Sequence, residues 1–351
     1  MKKRMTLKDV AEAAEVSMTT ASFVLNGRGS ISNLIRKRVL GAARDIGYSP
    51  KRKQKEILRA ESFAVLLDIS NRRKCAWTFY DPIIQGLDSI FLEAERRPVL
   101  IPCDSSTSGK EVIDQLHAID CRMVFSLECV SSEVISLLEA QKIKVIVLLD
   151  SRMEGEFHTV CQDDMQASYK GMLHVLERGH RRIWIAERTP IYTPKVSEDR
   201  FFGYKKALDE WGVDYLPEWR FRFKGVSHEE LGELTAKIVS AKERPTAIMV
   251  HDDYVANKLM MHLLAAGLSI PNDLSIISHG DVLDYELGDP FSITTMRLDT
   301  YAIGQLAAQA MLNRIRNKED ELPKSLKLCS TLVDRGSVKE IESNLSARAS
   351  A

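Results

Sequence analysis

A small all-helical head on a larger α/β body of two doubly wound parallel-sheet lobes is the fold class this sequence predicts. Three observations point there. The first sixty residues carry fourteen Lys/Arg against five Asp/Glu, a net of +9, in a chain whose formal charge is zero. That leaves 35 basic and 44 acidic side chains on the other 291 residues, a net of −9. Short capped stretches of helical periodicity fill the basic segment, whereas apolar runs alternate with amphipathic stretches through the acidic one. Such asymmetry suggests a short module that meets a polyanion and a larger one with a different task; charge alone also fits a solvated face.

In the head, Thr6 caps a helix in which Leu7, Val10, Ala11 and Ala14 recur on one face, and Asp9 completes a capping-box pattern. Ser17 reads as a second N-cap, starting a helix from Met18 to about Leu25 that Asn26-Gly27 stops. Inside it Ala21, Val24 and Leu25 face inward, leaving Met18, Thr19, Ser22 and Phe23 outward. A third helix is expected over 32–46, with Ile35, Val39 and Ala42 inward and Gly47 as its stop. Two short helices with small residues at their crossing and a tight turn between them make a helix-turn-helix. In that motif the second helix enters the major groove.

The body reads as strands over 63–69, 98–101, 123–127, 144–149, 182–186, 247–250, 274–277 and 326–333. Helical patterns lie between most of them, over 83–95, 131–140, 166–177, 200–210, 229–241, 255–266 and 302–316. Continuous apolar strands with helical crossovers mean parallel sheets covered on both faces. Some 290 residues exceed one such core, so two lobes are expected.

The motifs Thr6-Leu7-Lys8-Asp9-Val10-Ala11, Val16-Ser17, Thr20-Ala21-Ser22-Phe23-Val24-Leu25-Asn26 and Ile46-Gly47-Tyr48-Ser49-Pro50 together resemble the lactose-repressor (LacI/GalR) family of transcription regulators. Family-like segments recur in order through Arg335. The resemblance implies that Met18, Thr19 and Phe23 read base edges, with Asn26 and Arg28 beside them on the phosphate backbone. Thr6, Ser17, Thr20, Ser22 and Tyr48 complete the implied DNA-facing set. Thr19 donates or accepts at a base edge, while Met18 and Phe23 offer only apolar contact, for example to a thymine methyl. Phe23 stands where relatives often hold a polar reader, so operator choice is expected to lean on methyl contacts and DNA shape. Glu15 stands where many relatives place Gly or Asn. A positive φ there costs about 1 kcal/mol.

Residues 49–60 form the link. The family places here a hinge helix that orders on DNA and wedges an apolar side chain into the minor groove, a position that falls on Ile57. Arg52 and Gln54 depart from the small residues preferred there, and the other reading is a basic linker that adds phosphate attraction. The resulting plan is a helix-turn-helix domain over 1–48, a hinge over 49–60, an effector-binding and dimerisation body over 61–340 and a flexible tail over 341–351. For the body the resemblance implies the periplasmic-binding-protein architecture, with chain crossings near 158–162, 290–294 and 322–328. Lobe 1 then takes about 61–160 and 294–325, and lobe 2 about 161–293 and 326–340. The helical surface around 83–91 is expected either in a dimer contact or packed on its sheet.

Ligands of open parallel sheets collect at the C-terminal strand ends. There the resemblance implies an effector set of Ser70, Trp77 and Phe79 from the first lobe and Arg200, Asp252 and Asp281 from the second. Asp252 alternatively caps the helix that follows it. Where relatives read Gly-Phe/Tyr-Asp, this chain has Ser278-His279-Gly280, and Asp281 stands one residue on. An aromatic usual shortly before Gly232 is also missing, with Trp219 or Phe223 as substitutes by another path. One Arg and one or two carboxylates suit a polyhydroxylated ligand, since charged partners make the stronger hydrogen bonds.

The sequence has no phosphate loop, nucleophile elbow or zinc-hydrolase helix, and neither a metal site at His251, Asp252 and Asp253 nor a cofactor is expected. Six cysteines without a close pair fit free thiols in a reducing cytosol. No segment reads as a secretory signal or a membrane span. The expectation is therefore a cytoplasmic, homodimeric, non-enzymatic regulator. It would bind a near-palindromic operator in double-stranded DNA and answer to a sugar or sugar derivative. The alternatives are a constitutive DNA binder with a degenerate pocket, or a solute-binding protein, against which the basic head argues.

Overall fold

The computed structural model of the chain describes residues 6–25, 31–46, 62–68, 74–92, 98–103, 106–127, 129–189, 194–283, 285, 291–316 and 322–341. Its contacts divide it into two units, Met1–Glu61 and Ser62–Ala351. The hinge expected at 49–60 and the tail expected at 341–351 lie outside the described residues, except Ile341, whose N–H donates to the Arg178 carbonyl at 2.9 Å.

The first unit contains α1 (Leu7–Ala13), α2 (Met18–Leu25) and α3 (Asn33–Asp45). Its small core joins Val10, Ala11 and Ala14 to Ala21 and Val24 and to Val39 and Ala43. Alanines at the crossing let these short helices approach closely enough for so few apolar groups to exclude water. Ala42, expected inward, is only half-buried, because Ala43 lies one turn beyond Val39 on the same stripe. Glu15 between α1 and α2 has φ 49°, the left-handed conformation its position raised. Arg38 of α3 donates to the Glu15 carbonyl at 3.2 Å.

The second unit holds two six-stranded sheets. In the first, β1 (Phe63–Asp68), β2 (Pro98–Cys103), β3 (Met123–Leu127), β4 (Lys144–Leu148), β5 (Thr159–Gln162) and β11 (Ser325–Leu328) run in the order β11-β5-β4-β3-β1-β2, all pairs parallel. One face is covered by α4 (Lys74–Phe91) and α11 (Thr300–Arg316), with Phe63, Phe91 and Phe125 in mutual ring contact. The other face is covered by α5 (Gly109–Ala118) and α6 (Ser132–Ala140), around Val112, Leu116, Ile135 and Leu138. α4 and α11 cross at Gly86 and Gly304. A Cβ on Gly304 would overlap the Ile83 carbonyl, so only a missing side chain allows this approach.

In the second sheet, β6 (Ile183–Arg188), β7 (Arg220–Phe223), β8 (Ala247–Val250), β9 (Ser275–Gly280), β10 (Thr294–Arg297) and β12 (Thr331–Val333) follow the order β12-β10-β9-β8-β6-β7. Only the β10–β12 pair is antiparallel. Its faces are covered by α7 (Asp164–Glu177) and α8 (Pro194–Glu210) on one side, and by α9 (His228–Ser240) and α10 (Asp253–Ala265) on the other. Among the described residues no helix is long and apolar enough to cross a membrane.

Three expectations change. β10 pairs with β9 in the second sheet, and β11 pairs with β5 in the first, so 294–297 and 326–328 exchange lobes relative to the sequence reading. The stretch 326–333 is two strands in two sheets, broken at Cys329-Ser330. There the Ser330 hydroxyl accepts from Gln162 Nε2 at 2.8 Å. Apolar periodicity marks a strand but is blind to its partner, which hydrogen-bond register decides. Finally, α4 starts at Lys74 rather than at residue 83. Its Ile83, Leu87 and Phe91 are buried in the lobe core, so that stripe packs on the sheet.

Candidate nucleic-acid interface and ligand cleft

The head begins with reciprocal capping. Thr6 N–H donates to Asp9 Oδ2 at 2.6 Å, and Asp9 N–H donates to the Thr6 hydroxyl at 3.3 Å. This fixes the start of α1 and satisfies two otherwise orphaned donors. α1 ends at the Glu15 turn, where Val16 N–H reaches back to the Ala11 carbonyl at 3.0 Å. Ser17 Oγ then caps α2, accepting from Thr20 N–H at 3.0 Å and sharing a hydrogen bond with the Thr20 hydroxyl at 2.8 Å. Ser17 and Thr20 therefore shape the helix start.

On α2, Ala21 and Val24 are buried while Met18 and Phe23 are 52% and 42% exposed. Thr19 is exposed, and Ser22 and Thr20 are half-buried. Helical spacing puts Met18, Thr19, Ser22 and Phe23 on one outward strip beside the N-terminus, where free amides and the helix dipole favour an anion. Two large apolar side chains are thus displayed to solvent on the outer face of α2. Asn26, Arg28, Tyr48 and Ile57 lie outside the described residues.

In the body the C-terminal strand ends gather polar groups. Ser70 and the side chain of Trp77 lie outside the described residues. Phe79, on the first turns of α4, is half-buried and meets Tyr80 edge-on with ring centroids 5.8 Å apart. It lines a cavity of about 470 Å³ that also touches Pro82 from the first lobe and Asp281, Tyr285, Arg297 and Arg335. Asp281 has φ 86° and a nearly buried carboxylate. It accepts from the Thr295 hydroxyl at 2.8 Å and from Arg297 Nε, and pairs with Arg335 Nη1 at 2.7 Å. Burial works to raise its pKa but is outweighed by the hydrogen bonds from Arg335, Arg297 and Thr295, which hold it below the usual carboxylate value.

Arg200 and Asp252 are committed elsewhere. Arg200, on α8, donates through Nε to Asp164 at 2.7 Å and through Nη1 to the His251 carbonyl at 2.8 Å. Asp164 opens α7 and is buried; desolvation raises its pKa against the opposing pull of Arg200. Asp252 accepts from Val255 N–H at 2.6 Å, the capping role. Its neighbour Asp253 is buried and accepts from the amides of Val282 and Leu283 at 2.8 and 3.0 Å and from the Tyr285 hydroxyl at 3.2 Å. Burial pushes Asp253 up to about 6. It ties the loop after β9 to the start of α10.

Of the six effector candidates, the structure brings Phe79 and Asp281 to one cavity and engages Arg200 and Asp252 in protein contacts. Sequence reasoning missed Tyr285, Arg297 and Arg335. Arg297 ends β10, so the strand-end rule had the means to reach it once that strand was recognised. Arg335 follows an antiparallel edge strand, and no local signal marks it. His251 and His279 also went unassigned. They are brought side by side by the Val250–Ser278 register. Burial first, and Arg200 second, lowers both imidazoles well below the ordinary value, so both are neutral at pH 7. Among the described residues no group of three His, Cys, Asp or Glu side chains is placed to hold a metal ion.

Comparisons with known proteins agree on the kind of molecule. The family model described as bacterial regulatory proteins, lacI family, matches residues 6–51, and that of the periplasmic binding protein-like domain matches residues 172–338. The HTH-type transcriptional repressor PurR of Photobacterium profundum is 25% identical over 343 residues, covering 96% of this chain and 99% of its own length. Among solved structures, the transcriptional regulator CelR–cellobiose complex superposes with a TM-score of 0.67 at 22% identity, covering 95% of this chain and all of that one. The lac repressor dimer bound to operator and the anti-inducer ONPF gives a TM-score of 0.65 at 19% identity, covering 96% and 100%. At these identities the structural likeness shows a shared fold.

Proposed function

This chain belongs to the lacI family of bacterial regulatory proteins, and on that premise we propose a two-module switch in which α2 docks on DNA and the cavity of the body controls the docking. The protein is a DNA-binding transcription regulator of repressor type, like its relatives. The observation that carries the docking role is the outward strip of Met18, Thr19 and Phe23 on a capped helix within a segment of net charge +9. Their placement beside the start of a capped helix in so basic a module suits them to a DNA groove. Against a major groove they meet thymine methyls, while the surrounding cations attract phosphates.

One helix-turn-helix contacts few base pairs, so the working unit is a homodimer on a near-palindromic operator. The related lac repressor structure is a dimer on its operator, which supports that arrangement. The effector is a sugar or sugar derivative held between the lobes, a reading supported by the cellobiose bound to the similar regulator. Ligand that binds one arrangement of the lobes more tightly shifts the population toward it, and operator must shift ligand affinity by the same factor. The protein works by binding, in the cytoplasm, with no reaction of its own.

The test is to select bound fragments from random duplex DNA and then titrate the selected operator with and without candidate sugars. Sequence-selective binding that falls steeply with salt is expected, with at least one sugar shifting it. A nearly flat log–log salt plot refutes the basic-head argument. A constitutive binder is favoured by one observation, the internal engagement of Arg200 and Asp252; it would show operator binding that no small molecule alters.

A further inference from the structure

We propose that the ligand of the body carries an anionic group, a carboxylate or phosphate on a sugar-sized body, and that Arg297 grips it at the Asp281 end of the cavity. The inference rests on the effector reading above and names the chemistry of its ligand. Among the described residues lining the cavity, two guanidiniums, Arg297 and Arg335, face one carboxylate, Asp281. One positive charge is left over.

The two arginines are not equivalent. Arg335 is the more deeply held, with its side chain only 15% exposed. Its Nη1 donates to the Ile293 carbonyl at 2.9 Å and the Thr295 hydroxyl at 3.1 Å and pairs with Asp281, while its guanidinium lies over the Tyr285 ring, 3.7 Å from the centroid. Among the described residues Arg297 is tied only through Nε to Asp281, and its side chain is 50% exposed. Its two terminal amino groups have no hydrogen-bond partner among the described residues, and a guanidinium edge of that kind suits a carboxylate or phosphate.

Asp281 argues the same way from the other side. A carboxylate already accepting from Thr295, Arg297 and Arg335 has little capacity left for ligand hydroxyls, so it holds the arginines in place. The lining also includes the apolar side chains of Phe79, Pro82 and Leu298, which suit the face of a sugar ring. About 470 Å³ accommodates a ligand of hexose-phosphate size.

The experiment is calorimetric titration of the full chain at low ionic strength with inorganic phosphate, glucose, glucuronate and glucose 6-phosphate. The three sugars share a ring and differ at one carbon, so they separate carboxylate from phosphate. At least one anion is expected to bind tenfold or more tightly than glucose. Arg297→Gln should weaken that binding about tenfold or more, and Arg297→Lys should weaken it less. Asp281→Asn, by releasing Arg297, should tighten it, a gain that mere damage to the fold would not produce. Phosphate held by the basic head would be indifferent to all three substitutions. Anions binding no better than glucose, or binding unchanged in Arg297→Gln, overturns the assignment. Operator titrations of the same samples keep the two readings apart. If DNA is bound and a neutral sugar shifts that binding while no anion binds, the switch stands and the anion subsite falls.

Discussion

Replacing Arg200 with Gln tests whether this side chain is first of all a structural charge partner. Its guanidinium is mostly buried against Asp164, whose carboxylate lies at the start of α7 with little solvent of its own. Removing one member of such a pair leaves the other charge uncompensated, at a cost of about 3–5 kcal/mol. The loss should depend on pH. Asp164 already has its folded pKa raised by burial, with Arg200 opposing the rise. A carboxyl with a raised folded pKa contributes stability that is present below its unfolded value and lost as pH rises through the folded value. Without Arg200 that folded value climbs further, at about 1.4 kcal/mol per pH unit, so the variant should be hurt most at pH 8 and least near pH 5. Urea unfolding of the full chain, followed by tryptophan fluorescence, reads this directly, since Trp184 and Trp219 are buried in the same lobe. Adding Asp164→Asn should restore most of the loss. A deficit under about 1 kcal/mol, one equal at pH 5 and pH 8, or one the double variant leaves untouched would refute the argument.

Three further outcomes are expected. Met18→Ala and Phe23→Ala should each weaken selected-operator binding by about 1–3 kcal/mol in gel-shift titration while leaving the melting temperature unchanged, because both side chains are exposed in the free protein. Glu15→Gly relieves a left-handed residue at φ 49° and should stabilise the head by roughly 1 kcal/mol by thermal denaturation; a loss would mean that the Glu15 side chain holds the turn. Asp253, raised to about 6, should make the body less stable as pH climbs from about 4 through 6, by up to roughly 3 kcal/mol. Asp253→Asn should flatten that part of the pH–stability profile, and an unchanged slope between pH 5 and 7 would show that another group is responsible.

The head was legible because its information is local. Caps at Thr6 and Ser17, the spacing of Val10, Ala14, Ala21 and Val24, and the outward strip from Met18 to Phe23 all lie within one or two helical turns. The alternation of strands and helices in the body was legible for the same reason, since apolar period and turn residues act over a few positions. Lobe membership was not. Whether 294–297 joins the first or second sheet depends on hydrogen bonds to a strand seventeen residues earlier. Whether 325–328 extends the first sheet depends on a partner 166 residues away.

The cleft was half legible. The strand-end rule and the family pattern led to Phe79 and Asp281, which do share a cavity, and to Arg200 and Asp252, which the structure occupies with Asp164 and a helix cap. Residue order alone established that a basic helical head precedes an acidic two-lobed α/β body, and which helix face of the head stays in water. Which charges neutralise one another was settled by the folded chain. Arg297, Arg335 and Asp281 are spread over 55 residues and meet because β10, the loop after β9 and the residues beyond β12 converge at one sheet edge. Coulomb attraction depends on separation in space, and one-dimensional order fixes that separation only within an element.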